Sequence, residues 1–176
     1  MRKAVAIGMM LLLCSLALVA QGPQMPKPGP EQARLKYFVG DWKTEGDMKA
    51  SPMGPGGKFT SIDHNNMLGD FFLVMHSDGT SPMGKMKSVA FLSFDPKDKN
   101  YVYDAYDTMG MHEMSKGNVS GDTWTYTSDE DMGGKTMHGR FTLTQVSPTS
   151  FTMKYDTSED GKTWNTVMEA KSTKVK

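Results

Sequence analysis

From about residue 41 onward the chain alternates apolar and polar positions in short runs, broken by clusters of glycine, proline, asparagine and aspartate. A period of two marks a strand with one buried and one wet face. The alternation is plainest late in the chain. Trp124 and Tyr126 interleave with Thr123, Thr125 and Thr127, Phe141 and Leu143 with Arg140 and Thr142, and Phe151, Met153 and Tyr155 with Thr152 and Lys154. Such runs predict ten strands, at about 41–49, 59–66, 71–77, 85–94, 100–107, 111–119, 122–129, 135–145, 150–158 and 163–171. No segment between them is long enough for a crossover helix, so each strand is expected to pair with its successor. An open meander of this length leaves two exposed edges, and closure removes both. The expected fold is therefore all-β, an antiparallel up-and-down barrel of about ten strands.

The pattern just before the first strand differs. Pro30-Glu31-Gln32-Ala33-Arg34-Leu35-Lys36-Tyr37-Phe38 has proline where a helix starts and an acid in its first turn. It predicts about two turns of helix, with Leu35, Phe38 and Val39 facing inward to plug one end of the barrel. Gly40 stops the helix, and Trp42 is expected to fill the barrel floor.

Residues 1–20 have another character. Arg2-Lys3 precede an apolar run from Ala4 to Val19, followed by small Ala20. This reads as a secretory signal peptide and predicts an exported protein, periplasmic or secreted. Residues 21–30 hold four prolines and two glycines and read as a tether, leaving 31–176 as a single barrel domain. The formal charge of the chain is zero; without Arg2 and Lys3, 18 basic residues stand against 20 acidic ones, a net charge of −2. With charges interspersed, no footprint for nucleic acid or anionic lipid is present, and none for a membrane after cleavage. The single cysteine, Cys14, lies within the apolar run behind Leu13, where a lipoprotein signal would have a small residue. Cleavage leaves a mature chain without disulfides or thiolate chemistry.

Gly40-Asp41-Trp42 after a short helix resembles the Gly-x-Trp that opens lipocalin and related calycin barrels. Lys27-Pro28-Gly29-Pro30-Glu31, Phe38-Val39-Gly40-Asp41-Trp42, Ser51-Pro52-Met53-Gly54-Pro55-Gly56-Gly57 and Ser147-Pro148-Thr149-Ser150 are similar to the bacterial family called domain of unknown function 1579. The resemblance covers nearly all of the mature chain and implies a lipocalin-like β-barrel with no established activity. The lipocalin-type Gly-x-Trp in turn implies a late arginine covering the opening tryptophan. Arg140 is the one arginine in the expected strands, and its alternation points it outward.

In an up-and-down meander alternate loops share one end. Loops 1–2, 3–4, 5–6 and 7–8 contain Met53-Gly54, Met83-Gly84, Met109-Gly110-Met111 and Met132-Gly133-Gly134. The opposite loops are tight and polar, and the helix should close that end. The expected mouth is thus ringed by methionines, whose flexible, polarizable side chains suit variable apolar partners. Behind it, Phe91, Tyr103, Trp124, Tyr126, Phe141 and Tyr155 are expected to wall a pocket for a small apolar or amphipathic molecule. The plain alternative is that the chain's seventeen methionines replace leucine and phenylalanine, and the loops merely pack on the barrel.

Other chemistry is less legible. Met109, Met111, His112 and Met114 resemble the thioether-and-imidazole clusters that hold copper(I), which gives a second reading as a periplasmic soft-metal binder. Met111 and His112 would point to opposite strand faces, whereas His112 and Met114 share one. The four histidines, His64, His76, His112 and His138, all fall in strands; one as a haem ligand is the less favoured reading, because a lone strand histidine is more often a surface hydrogen-bonding group. No catalytic triad is legible, no cofactor is expected, and catalysis is not inferred. An enzyme with an unrecognised site and a ligand-free structural barrel stay open as further readings. Asp156 to Trp164 looks like an Asp-box hairpin, a turn device, and acidic Ser128 to Asp131 reads as a solvated hairpin tip rather than a calcium loop.

Overall fold

A computed structural model describes residues 25–51 and 54–175. The expected signal peptide, and Met53 of the mouth, lie outside the described residues. One short helix, α1 (Pro30–Leu35), runs into a 3-10 turn at Lys36–Phe38. Ten strands follow: β1 (Gly40–Met48), β2 (Gly57–Leu68), β3 (Phe72–Ser81), β4 (Gly84–Asp95), β5 (Asn100–Asp107), β6 (His112–Ser120), β7 (Thr123–Asp131), β8 (Thr136–Ser147), β9 (Ser150–Ser158) and β10 (Asn165–Lys174). Each pairs antiparallel with its successor, and β1 pairs with β10, so the sheet is a closed barrel. The closing seam runs from Trp42 opposite Lys174 to Met48 opposite Met168. The expected topology is the observed one, and the strand limits differ by a few residues. No described helix is long and apolar enough to cross a membrane.

The plug lies where the alternation put it. Leu35, Phe38 and Trp42 are buried at the end of the barrel from which β1 starts. The Phe38 ring meets Trp124 and Phe151 edge-on, at 5.2 and 5.6 Å between centroids. The Phe38 carbonyl accepts from the Trp42 indole N–H at 2.8 Å and from Asn65 Nδ2 at 3.1 Å, so the chain turn into β1 is held by two buried donors. Around the rim, the Tyr101 hydroxyl donates to the Glu31 carbonyl at 3.0 Å, and the Tyr37 hydroxyl lies 2.7 and 2.8 Å from the carbonyls of Ser147 and Ser150. Arg34 reaches the Gly121 carbonyl at 3.2 Å, and Lys36 pairs with Asp70 at 2.9 Å. These bonds tie the plug to the short loops after β2, β6 and β8, so that end is shut.

Lys174, not an arginine, covers the floor tryptophan: its Nζ sits 5.3 Å from the Trp42 ring centroid, within cation–π reach. Gly40, at φ 113°, leaves the space that the Lys174 side chain crosses. Arg140 does point outward, as its alternation predicts. There it stacks at 4.1 Å on Trp164 and pairs with buried Asp156 at 3.0 Å. Burial alone would raise the Asp156 pKa, but bonds from Thr166, Lys154 and Arg140 outweigh it, and the carboxyl is held below its ordinary value. The Asp-box segment is a turn device, as expected. Asp160 accepts from the backbone N–H groups of Thr163 and Lys162 and from the Ser158 hydroxyl, which lower its pKa to about 2.

Two inward glycines make room for large rings. Gly46 faces Phe59 across the β1–β2 pair, and Gly117 faces Tyr126 across β6–β7. A methyl group at Gly117 would fall 2.5 Å from Tyr126 Cδ1 and 2.6 Å from the Thr125 carbonyl oxygen. The second of these is backbone and cannot step aside. Gly117→Ala is therefore expected to cost about 1–3 kcal/mol by overpacking. It should lower the urea midpoint with an unchanged slope, and an unchanged midpoint would show that β6 and β7 can part there to admit a methyl group.

Candidate functional site

A ten-strand barrel is wider than the eight-strand barrels whose interiors side chains just fill or which hold one small ligand. Here the interior holds a cavity of about 350 Å³. Its floor is the plug and the lowest inward layer: Phe38, Leu92, Trp124, Leu143 and Phe151. Phe59, Met86, Glu113 and Met168 lie nearest the other end, where the loops after β1, β3, β5 and β7 gather with the β9–β10 loop.

The two sides of the cavity differ in chemistry. On β5, β7 and β8 the wall is aromatic, made by Tyr103, Trp124, Tyr126 and Phe141. On β10, β1, β2 and β3, across the barrel, Ser172, Thr44, Ser61, Asp63 and Ser77 set a polar patch among Phe59, Met75 and Met168, and β6 brings Glu113 and Ser115 in between the aromatic strands. Asp63 organises this side. It accepts from the Thr44 hydroxyl at 2.9 Å, the Ser61 hydroxyl at 3.0 Å and the Ser77 hydroxyl, while Thr44 is joined to Ser172 at 2.6 Å. All the donors to Asp63 are neutral.

The aromatic side carries unspent hydrogen-bonding capacity. Trp124 and Tyr126 are 1 % and 6 % exposed, and among the described residues neither the indole N–H nor the phenol O–H has a hydrogen-bond partner. Leaving such a group unpaired costs about 1–3 kcal/mol. Burial pushes both the Tyr103 and Tyr126 phenols well above their ordinary value. The negative charges of Glu113 and Asp63 add to the effect at Tyr103, and the neighbouring phenols Tyr101 and Tyr103 add to it at Tyr126.

Four of the expected wall residues, Tyr103, Trp124, Tyr126 and Phe141, do line the cavity. Tyr155 faces inward on the loop side of Phe141, over Gly139 and hydrogen-bonded to Ser128, just beyond the lining. Phe91 is a correction: it lies on the outer face at 37 % exposure, while its neighbours Ala90 and Leu92 are the inward pair. The loops bearing Met83, Met109, Met111 and Met132 share one end as expected. Their side chains, however, are exposed and stand outside the cavity wall. The methionines that do line it, Met75, Met86, Met153 and Met168, sit at inward strand positions. Gly40 and Trp42 hold the structural places expected of them.

The soft-metal group is spread over the surface. His112 Nε2 lies 2.8 Å from Asp104 Oδ1, and its ring stacks on Tyr106 at 4.5 Å. Met109, Met111 and Met114 are exposed, and the Met109 amide is bound to Asp107. No group of three His, Cys, Asp or Glu side chains placed to hold a metal ion occurs among the described residues. Sequence reasoning missed Thr44, Ser61, Asp63, Ser77, Glu113 and Ser172. A signal was available for β2, where Phe59, Ser61, Asp63, Asn65 and Met67 share one parity and both ends are apolar.

Fold and cavity together define a lipocalin-like closed barrel with a plugged floor and an internal cavity. Residues 27–174 match the family described as "Protein of unknown function (DUF1579)", and the chain belongs to that family. No curated protein matches the sequence. Among solved structures, the crystal structure of Rv2717c from M. tuberculosis is similar at a TM-score of 0.58 and 13% identity, covering 85% of this chain and 100% of that one. The S-type phycobiliprotein lyase CPES from Guillardia theta follows at a TM-score of 0.50 and 11% identity, covering 86% and 99%. At such identities the likeness is one of fold.

The raised phenols have a consequence at high pH. A tyrosine whose folded pKa exceeds its unfolded value favours the folded state fully below the unfolded pKa, about 10, and that contribution is lost as pH rises above it. Tyr103 and Tyr126 should therefore give no phenolate absorbance in the folded protein at about pH 10, the ordinary tyrosine range. Their phenolate signal should appear only together with alkaline unfolding. Full ionisation of all six tyrosines near pH 10 in the folded protein would contradict this burial.

Proposed function

We propose that this protein is an exported barrel that binds a small, largely apolar or amphipathic molecule without covalent chemistry. The observation that carries the reading is the cavity of about 350 Å³ whose aromatic wall bears two buried, unpartnered donors, Trp124 Nε1 and Tyr126 OH. The volume falls within the roughly 300–1,000 Å³ common for small-molecule sites, and a mostly apolar wall with a few placed polar groups is their usual make-up. Phe38, Leu92, Leu143 and Phe151 would receive the apolar part. A carbonyl, ether or hydroxyl oxygen on the ligand would satisfy the two donors once the side chains packed over them shift to admit it, since neither atom presents surface to the cavity. The exposed methionine loops would then form a pliable approach to the mouth rather than the wall of the site. The apolar stretch at 1–20 behind Arg2-Lys3 supports export.

Protein purified from its native host should carry a bound small molecule in native mass spectrometry, and an environment-sensitive apolar dye should be displaced by a subset of an apolar library. Ala90 lines the cavity and is 3 % exposed, so Ala90→Leu should fill space inside and abolish dye binding without lowering thermal stability. Tyr126→Phe should leave the fold intact and weaken the natural ligand several-fold, by about 0.5–1.5 kcal/mol for one hydrogen bond. If Ala90→Leu leaves dye binding untouched, or no molecule is ever bound or displaced, the barrel is not a container.

A further inference from the structure

The cavity carries charge of one sign. Asp63 and Glu113 line it, and among the described residues no lysine, arginine or histidine does. Glu130 follows Trp124 and Tyr126 at the same inward parity of β7, on the loop side. Glu113 stands at the mouth and is still exposed to solvent; partial desolvation by its neighbours, and then the charge of Glu130, raise its pKa, as expected where carboxyls crowd without a counter-ion. The basic side chains of the same strands lie outside. Lys87 pairs with Asp78 and Lys116 with Asp98, and His64, His112 and His138 pair with Asp41, Asp104 and Asp129. Lys174 is spent on Trp42 at the closed end. The hydroxyls of Thr44, Ser61 and Ser77 orient the Asp63 carboxylate but leave its charge uncompensated. Across the cavity from Asp63 stand the rings of Tyr103, Trp124, Tyr126 and Phe141, and an ammonium that meets a ring face there gains a cation–π attraction.

We propose that the molecule this cavity takes is cationic: an amphipathic amine whose ammonium lies between the Asp63 and Glu113 carboxylates and the aromatic wall, with its apolar part toward the plug. Carboxylate-bearing lipids are excluded, because a third negative charge would enter a site with no cation to meet it. The inference rests on the container reading above and adds the ligand's charge to it.

A matched set of probes separates the two ideas: 3-(octyloxy)propylamine, 3-(octyloxy)propan-1-ol and 3-(octyloxy)propanoic acid share one tail and one ether oxygen and differ only in the charge of the head. Calorimetry or dye displacement at neutral pH should rank the amine about tenfold or more tighter than the alcohol, and the acid weakest. Glu113→Gln, near the mouth and outside the Asp63 network, should reduce the amine's advantage over the alcohol several-fold. Asp63→Asn, used where circular dichroism shows a native fold, should do the same. An alcohol that binds as tightly as the amine, or an acid that binds best, overturns the charge assignment and leaves the container standing. No binding by any of the three to the wild-type protein overturns both.

Discussion

The seam between β1 and β10 is the constraint on which the rest of this molecule depends. While that ladder is made, every strand has two partners and the sheet has an inside; without it, a ten-strand meander is an open ribbon with two unsatisfied edges. The seam begins where Trp42 faces Lys174, and the same tryptophan bonds the Phe38 carbonyl at the end of the plug. Closure and plugging are thus one event around one indole ring. Lys174 over its face and Phe151 beside it, 4.9 Å between centroids, place the last two strands against the first. Because Trp42 belongs at once to the seam, the floor and the aromatic cluster, loss of its packing would loosen all three.

A closed, plugged barrel turns strand parity into chemistry. Any inward position becomes floor, wall or mouth, whether its side chain is apolar or not. Phe38, Leu92, Leu143 and Phe151 make the floor dry, and Tyr103, Trp124, Tyr126 and Phe141 make one wall aromatic. Strands β1, β2, β3 and β10 add hydroxyls and one carboxylate among Phe59, Met75 and Met168. Buried polar groups of this kind are tolerated when bonded to one another, as Thr44, Ser61, Asp63, Ser77 and Ser172 are. The inward glycines complete the arrangement. By yielding their Cβ volume to Phe59 and Tyr126, they let large rings lie against the wall and keep the centre of the barrel open.

Much of this was legible in the chain. Residues such as Trp124, Tyr126, Phe141, Leu143 and Phe151 alternate with threonine, arginine and lysine, and where one parity is apolar and the other polar the inward face is unambiguous. Strand β4 shows where that reasoning stops. Val89, Ala90, Phe91, Leu92 and Phe94 are apolar on both parities, so size favours Phe91 as the wall. The register decides otherwise: Ala90 lies between Met75 and Ala105, and Leu92 between Leu73 and Tyr103, which leaves Phe91 outside between Val74 and Asp104. The methionine loops were placed at the correct end because loop order in a meander is topological. Their side chains were misplaced because a turn stands beyond the last ladder bond, where the inward face of the sheet no longer exists to receive them.

The sequence by itself determined the closed meander, the plug and the aromatic wall, because period-two burial, short connections and a helix that stops at Gly40 are local properties that each segment carries alone. Only the tertiary structure decided which polar residues are inside. Asp63 reads as a solvent-facing acid until the hydroxyls of Thr44 and Ser77, nineteen and fourteen residues away, are brought to its oxygens. That no basic side chain among the described residues lines the cavity is likewise a property of the closed barrel and of no single strand. Whether a buried charge is satisfied or left waiting depends on neighbours that folding assembles, and a linear pattern holds no record of them.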